Sequence, residues 1–444
     1  MTLIWHSIAG LSVRGFEVAA KLALYMLAAR ILGNVESGFL FLAMTWGHWA
    51  ATAARLGIDR ALTRLVAAEL AHEQGANARG AILKGAAITI ATGSCLGLLT
   101  WAAAPGVAFF VFRDPAAADA LRASAAVIPG MAIAFTLTAV LTGLHRTVLA
   151  QTLQNALWPV AMLAGLAFGL RSAAELILVL AASMGIAILV AAAWIARDHA
   201  KLRRNQPTEA DVAPLPSMAA TALPLFVVEL VQVTIATLPV LVLGAFGDPE
   251  AVSVFSIAQR ASMVVWVVLI SLGSLAAPRF AGLHRQAQWP ALRSLNRQMQ
   301  LAGAALGGLL CLVLAAGAEP LLAFMGPGFA IGALTLVVMA AGQFVNALYA
   351  TQDVLLAMTG NGAALRVLNL LQLGTILVLS PLLVWQFGAL GAAIATAMAT
   401  AQGGFGTAMI ARVCVPEAGT LFAPPLPRAL RPLFARSIPM STVT

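Results

Sequence analysis

An all-α membrane protein, with about twelve transmembrane helices in two pseudo-symmetric six-helix lobes, is predicted by three features of this sequence. The first is composition. Of the 444 residues 61% are hydrophobic and 10% charged, and the mean hydropathy is +0.92, which a water-soluble core does not produce. The second is the recurrence, along nearly the whole chain, of apolar runs of about 20 residues, the length that crosses about 30 Å of hydrocarbon as a helix. Such lengths exclude a β-barrel, whose segments are short and alternating. The third is the sorting of basic residues onto alternate span ends, which a polytopic protein shows and a soluble one does not.

The spans are expected at about 8–32, 37–57, 82–104, 121–143, 150–170, 173–196, 218–245, 251–276, 299–325, 330–358, 364–385 and 388–411. The first carries Arg14, Glu17, Lys21 and Arg30 in an otherwise apolar run. Ionisable groups in a bilayer cost about 2.5–3.5 kcal/mol each on insertion scales, so they persist where they pair or line water. Arg14, Glu17 and Lys21 stand at i, i+3 and i+7, on one helical face, and Glu17 can pair with either cation. That face is expected to line a cavity, although cations near a span end can also snorkel to the surface, Arg30 among them. The N-terminal MTLIWHSIAG lacks a basic n-region and a small-residue cleavage site, so the first span is expected to stay in the protein.

After the second span, Asp59 to Gly80 interleaves Leu62, Leu65, Val66 and Leu70 with charges and is expected as an amphipathic surface helix. The fifth span opens on Gln151, Gln154 and Asn155, amides able to hydrogen-bond across helices. Arg197 to Ser217, the longest polar stretch, reads as a linker at 197–217 between an N-terminal lobe at 1–196 and a C-terminal lobe at 218–411, with 412–444 expected as a disordered tail. The halves match at an offset of about 215 residues: Gly33 and Glu36 with Gly247 and Glu250, Arg64 with Arg279, Pro105 with Pro320, Phe109 with Phe324. An even number of spans per half gives repeats of the same topology, with a binding site expected between them near the midplane. In the second half Glu229 stands on the seventh span, Arg260 deep in the eighth, and Asp353 in the tenth; Gly388 to Ala397 is a run of small residues suited to close packing.

The net charge of +9 would suggest nucleic acid in a soluble protein. Here the Lys and Arg residues gather on the N-terminal side, so both termini are expected in the cytoplasm of a multi-pass inner-membrane protein, the basic excess facing membrane lipid and not nucleic acid. No nucleophile elbow, metal box or P-loop is present, so no catalytic residue, metal or cofactor is expected. The three cysteines read as small apolar residues. Trp46, Trp49, Trp158 and Trp194 read as interface anchors. The informative set is cationic: Arg14, Lys21, Arg30 and Arg260. Several fixed cations with few acids suit an anionic solute, and arginine forks suit phosphate oxygens. Glu17, Glu229 and Asp353 are candidates for a coupling-ion site or for structural partners of arginines.

Four stretches carry a family resemblance: ARILGNVESGFLFLA (Ala29 to Ala43), LGIDRALTRLVA (Leu56 to Ala67), FGALGAAIATA (Phe387 to Ala397) and VFSIAQRASMVVWVVLISLGSLAAPRFAGLHRQ around Arg260. In order and spacing the chain resembles the Wzx-type O-antigen and capsule flippases of the multidrug/oligosaccharidyl-lipid/polysaccharide exporter superfamily. The resemblance implies a transporter that moves an undecaprenyl-diphosphate-linked saccharide to the outer leaflet by alternating access, with Arg260 and Arg30 placed by position to meet the diphosphate. The expected partners are a lipid-linked oligosaccharide, membrane lipid, and a polysaccharide polymerase and ligase. A multidrug exporter of the same superfamily, which would want acidic cavity groups, and a membrane glycosyltransferase or polymerase, which would want a sizeable outer loop, are the alternatives.

Overall fold

A computed structural model of the chain describes residues 2–71, 75–198, 218–326 and 328–421, with side chains from residue 15 onward apart from 69–78. Helices run α1 (Thr2–Arg55), α2 (Ile58–Ala71), α3 (Gly75–Phe110), α4 (Ala117–Gly143), α5 (Thr147–Gln151), a π-turn (Thr152–Ala156), α6 (Leu157–Ala167) and α7 (Ala173–Arg197). They continue as α8 (Met218–Phe246), α9 (Pro249–Arg285), α10 (Trp289–Ala316), α11 (Ala318–Ala323), α12 (Ala333–Leu348), α13 (Gln352–Met358) and α14 (Gly362–Cys414). Among the described residues nine helices are long and apolar enough to cross a membrane. Two of these are hairpins that each supply two spans. Gly33 interrupts α1 with φ 80°, a region open to glycine, and the rings of Tyr25 and Phe41, eight residues either side of it, stack at 4.3 Å. A straight helix would hold those residues about 24 Å apart, so the chain reverses at Gly33. Gly388, at φ 53°, does the same in α14, where Gln372 Nε2 donates to the Ala399 carbonyl at 2.8 Å. With the run from Thr147 to Ala167, the expected twelve spans are accounted for.

The chain forms two compact units, Met1–Thr237 with Asp248–Ser253, and Leu238–Gly247 with Val254–Thr444. In the first, α4 is the central helix, packed on α1, α2, α3 and α7. Close approach there depends on glycine: a Cβ on Gly97 would stand 2.7 Å from the Ala125 carbonyl oxygen. Ser37 and Ser253, at the start of the second and eighth spans and 216 residues apart, share a buried hydrogen bond of 2.6 Å, a separation that matches the sequence repeat. In the second unit α12 lies between α10 and α14.

Small residues again set that packing. A Cβ on Gly342 would come within 2.6 Å of the Ala397 Cα and 3.0 Å of its carbonyl oxygen, so the Gly388 to Ala397 run is a packing surface, as its composition suggested. Gly342→Val is expected to overpack this contact at a cost of about 1–3 kcal/mol and to lower the yield of monodisperse protein on size exclusion; wild-type yield and melting would remove the contact from the account.

The structure corrects the tenth span, expected as one helix over 330–358. It breaks between α12 and α13, with Thr351 left-handed at φ 66°, a conformation that a β-branched residue rarely adopts. The last helix runs past the expected end at 411: α14 reaches Cys414 and the segment to Leu421 lies along α10, where Asn296 Nδ2 donates to the Ala418 carbonyl at 3.1 Å and Leu421 N donates to Gln300 Oε1 at 3.0 Å. The linker over 199–217 and the tail over 422–444 lie outside the described residues.

Candidate functional site

In the first unit the polar face of α1 is built as its spacing implied. Lys21 Nζ donates to Glu17 Oε1 at 2.6 Å, one turn apart, with both side chains half-buried. Lys21 Nζ also lies 5.4 Å from the centre of the Trp158 ring on α6, a cation–π distance. Counting back from the Gly33 turn, Lys21 lies about 18 Å along the helix, near the middle of a 30 Å core. Arg30 stands three residues before that turn and is exposed. The Arg14 side chain lies outside the described ones; its backbone is helical.

A second charged group lies in the same unit at the C-terminal end of the second span. Arg55, with its side chain 5% exposed, donates through Nη1 to Asp59 Oδ2, through Nη2 to Glu229 Oε1 at 3.1 Å and to Thr52 Oγ1 at 2.8 Å. Arg60 Nε reaches the other Glu229 oxygen at 3.0 Å from an exposed position. Glu229, a coupling-ion candidate in the sequence, is thus the carboxylate that joins α8 to α1 and α2. Sequence reasoning did not single out Arg55 or Asp59; their i, i+4 spacing was the available signal.

Trp46 and Trp49, expected as interface anchors, instead donate indole hydrogen bonds between helices, to Thr100 Oγ1 at 3.2 Å and Thr234 Oγ1 at 3.0 Å. Trp194 lies under the guanidinium groups of Arg146 and Arg197, at 5.2 and 5.3 Å.

In the second unit Arg260 is half-buried, with Nη1 3.5 Å from the Met263 sulfur. It lies eleven residues into α9, about 17 Å from the Pro249 end, so its charge is held near mid-bilayer depth. Ser256 and Met263, at i−4 and i+3, share its face. Asp353 is exposed in the first turn of α13, where a carboxylate favours the helix N-terminus. Among the described residues no group of three or more His, Cys, Asp and Glu could hold a metal ion.

Long apolar helices and two hairpin-built spans define a multi-pass membrane protein. The fold is that of known transporters. It matches an inward-closed lipid II flippase MurJ at TM-score 0.66 and 13% identity, over 91% of this chain and 86% of that one. It matches an inward-facing multidrug resistance MATE transporter of the MOP superfamily at TM-score 0.67 and 14% identity, over 89% and 95%. A third match is the Vibrio cholerae MATE transporter VcmN in its bent form, at TM-score 0.53 and 16% identity, over 91% and 94%. No curated protein matches the sequence. Residues 4–284 match the polysaccharide biosynthesis protein family, and the chain belongs to that family.

Proposed function

We propose that the protein is a flippase that carries an undecaprenyl-diphosphate-linked saccharide from the cytoplasmic to the outer leaflet of the bacterial inner membrane, by alternating access of its two lobes, for surface polysaccharide synthesis. The observation that carries this reading is the placement of Lys21 and Arg260 at mid-bilayer depth in a member of a polysaccharide biosynthesis family. A bilayer tolerates such charges where they meet water or a counter-charge, and a diphosphate is a counter-charge that arginine matches with parallel hydrogen bonds. The protein is not an enzyme in this reading; a polymerase and a ligase act on the saccharide after it crosses. Of the three coupling-ion candidates, Asp353 is the one that makes no ion pair among the described residues.

Reconstituted into proteoliposomes, the protein is expected to make an undecaprenyl-diphosphate oligosaccharide accessible to an external glycan-modifying enzyme, and protein-free vesicles are not. Transport of an organic cation such as ethidium, with no movement of the lipid-linked glycan, would favour the multidrug exporter instead. The membrane orientation follows from the basic residues: reporter fusions at the N-terminus, in 199–217 and at the C-terminus should report the cytoplasm, and one between Gly247 and Glu250 the periplasm. A cytoplasmic signal at Gly247 would overturn the assignment from the seventh span onward.

A further inference from the structure

On the fifth span, Gln151, Gln154, Asn155 and Trp158 fall within about two turns of one another. This stretch packs on α1, and the Lys21 ammonium lies over the Trp158 ring, which sets it beside the helix that carries Glu17 and Lys21. All six side chains are half-buried. The Gln151 carbonyl oxygen is buried without a hydrogen-bond partner, and among the described residues Gln154 and Asn155 make no side-chain hydrogen bond. The backbone between them is a π-turn, Thr152–Ala156. Pro159 accounts for it: a proline has no N–H to give the Asn155 carbonyl one turn back, so the ladder widens ahead of it.

Three amides stand here without partners, and a buried one such as the Gln151 oxygen costs about 1–3 kcal/mol while unsatisfied. Their chemistry says what would satisfy them. A primary amide both donates and accepts, which suits a hydroxyl, itself both donor and acceptor. An alkyl chain offers neither. A phosphate only accepts, leaving the amide oxygens unmet. An organic cation would seek the Glu17 carboxylate, which is already held by Lys21 at 2.6 Å. The remaining member, Trp158, gives a flat apolar face beside the amides, the combination that fits the ring of a sugar with its polar edge and apolar face.

We infer that Gln151, Gln154, Asn155 and Trp158, backed by the Glu17–Lys21 pair, form a glycan subsite in the first unit that takes the saccharide part of the transported lipid. This inference rests on the flippase reading above and adds to it which residues read the sugar. Recognition is through hydroxyls, so lipid carrying sugar should bind this protein more tightly than the same lipid without it.

The test measures binding of two probes to the full-length protein in nanodiscs: undecaprenyl diphosphate, and undecaprenyl diphosphate bearing one N-acetylhexosamine. Wild type is expected to prefer the glycosylated probe. The double variant Gln154→Leu, Asn155→Leu is expected to lose about tenfold in affinity for the glycosylated probe, the size of one or two lost hydrogen bonds, and to bind the bare lipid as wild type does. Gln154→Met and Trp158→Leu, made singly, should each move the same ratio in the same direction and serve if the double variant fails to fold. If the variants keep the wild-type preference for sugar, or if wild type binds both probes equally, the glycan subsite is wrong and the flippase reading stands. If wild type binds neither probe, both fall.

Discussion

Arg260→Ala is expected to abolish polysaccharide export or to cut it by at least tenfold, at a membrane level equal to wild type. A diphosphate drawn into a low-dielectric cavity needs a cation already in place, and losing a charge-assisted contact costs about 1.5–3 kcal/mol, or about tenfold or more in binding. The structure puts the Arg260 charge eleven residues into α9, with Nη1 3.5 Å from the Met263 sulfur. The effect should follow charge: Arg260→Lys retains part of export, since it keeps the cation and loses the fork, and Arg260→Glu is at least as damaging as alanine. Export by the alanine variant at the wild-type rate would remove Arg260 from the mechanism. Loss of all three variants from the membrane would make it a folding residue.

Arg55→Ala is expected to destabilise the first unit by about 3–5 kcal/mol, the cost of breaking a buried ion pair from one side. Arg55 is the cation for two poorly exposed carboxylates at once, Asp59 and Glu229, and its removal leaves Asp59 without one. Thermal unfolding in detergent should show a large loss for Arg55→Ala and a smaller one for Glu229→Gln. The double variant should lose less than the two effects added, because each single change already removes the same contact. Arg60 is the internal control. Its side chain is 55% exposed, so Arg60→Ala should cost under about 1 kcal/mol, since solvent screens such a pair. Additive losses for Arg55 and Glu229 would show that the contact carries no stability.

Much of the architecture was legible because the bilayer is a strict solvent. A chain with this many apolar runs can satisfy its backbone only as helices, and the break at Gly33 was visible as a glycine-bearing interruption between two such runs. The polar face of α1 was legible as well, because i, i+3, i+7 spacing is a local property. The break at Thr351 was not. The chain around it carries no proline or glycine from 343 to 359, and the left-handed turn appears only where α12 packs on α10, with Ala350 against Gly303 and Ala347 against Gly307.

By itself the sequence determined the class of protein, its helical spans, the residues that bring charge into them and the family resemblance that the match over residues 4–284 supports. These all follow from hydropathy, period and local spacing. Only the tertiary structure decided which polar side chains meet. Glu229 is tied to Arg55 and Arg60, Trp158 lies against Lys21, and the fifth span packs on α1. The physical reason is that helices in a membrane associate through the shape of small and large apolar side chains. Any apolar face can in principle pack on many others, so no pairing of helices is written in the residues of one span.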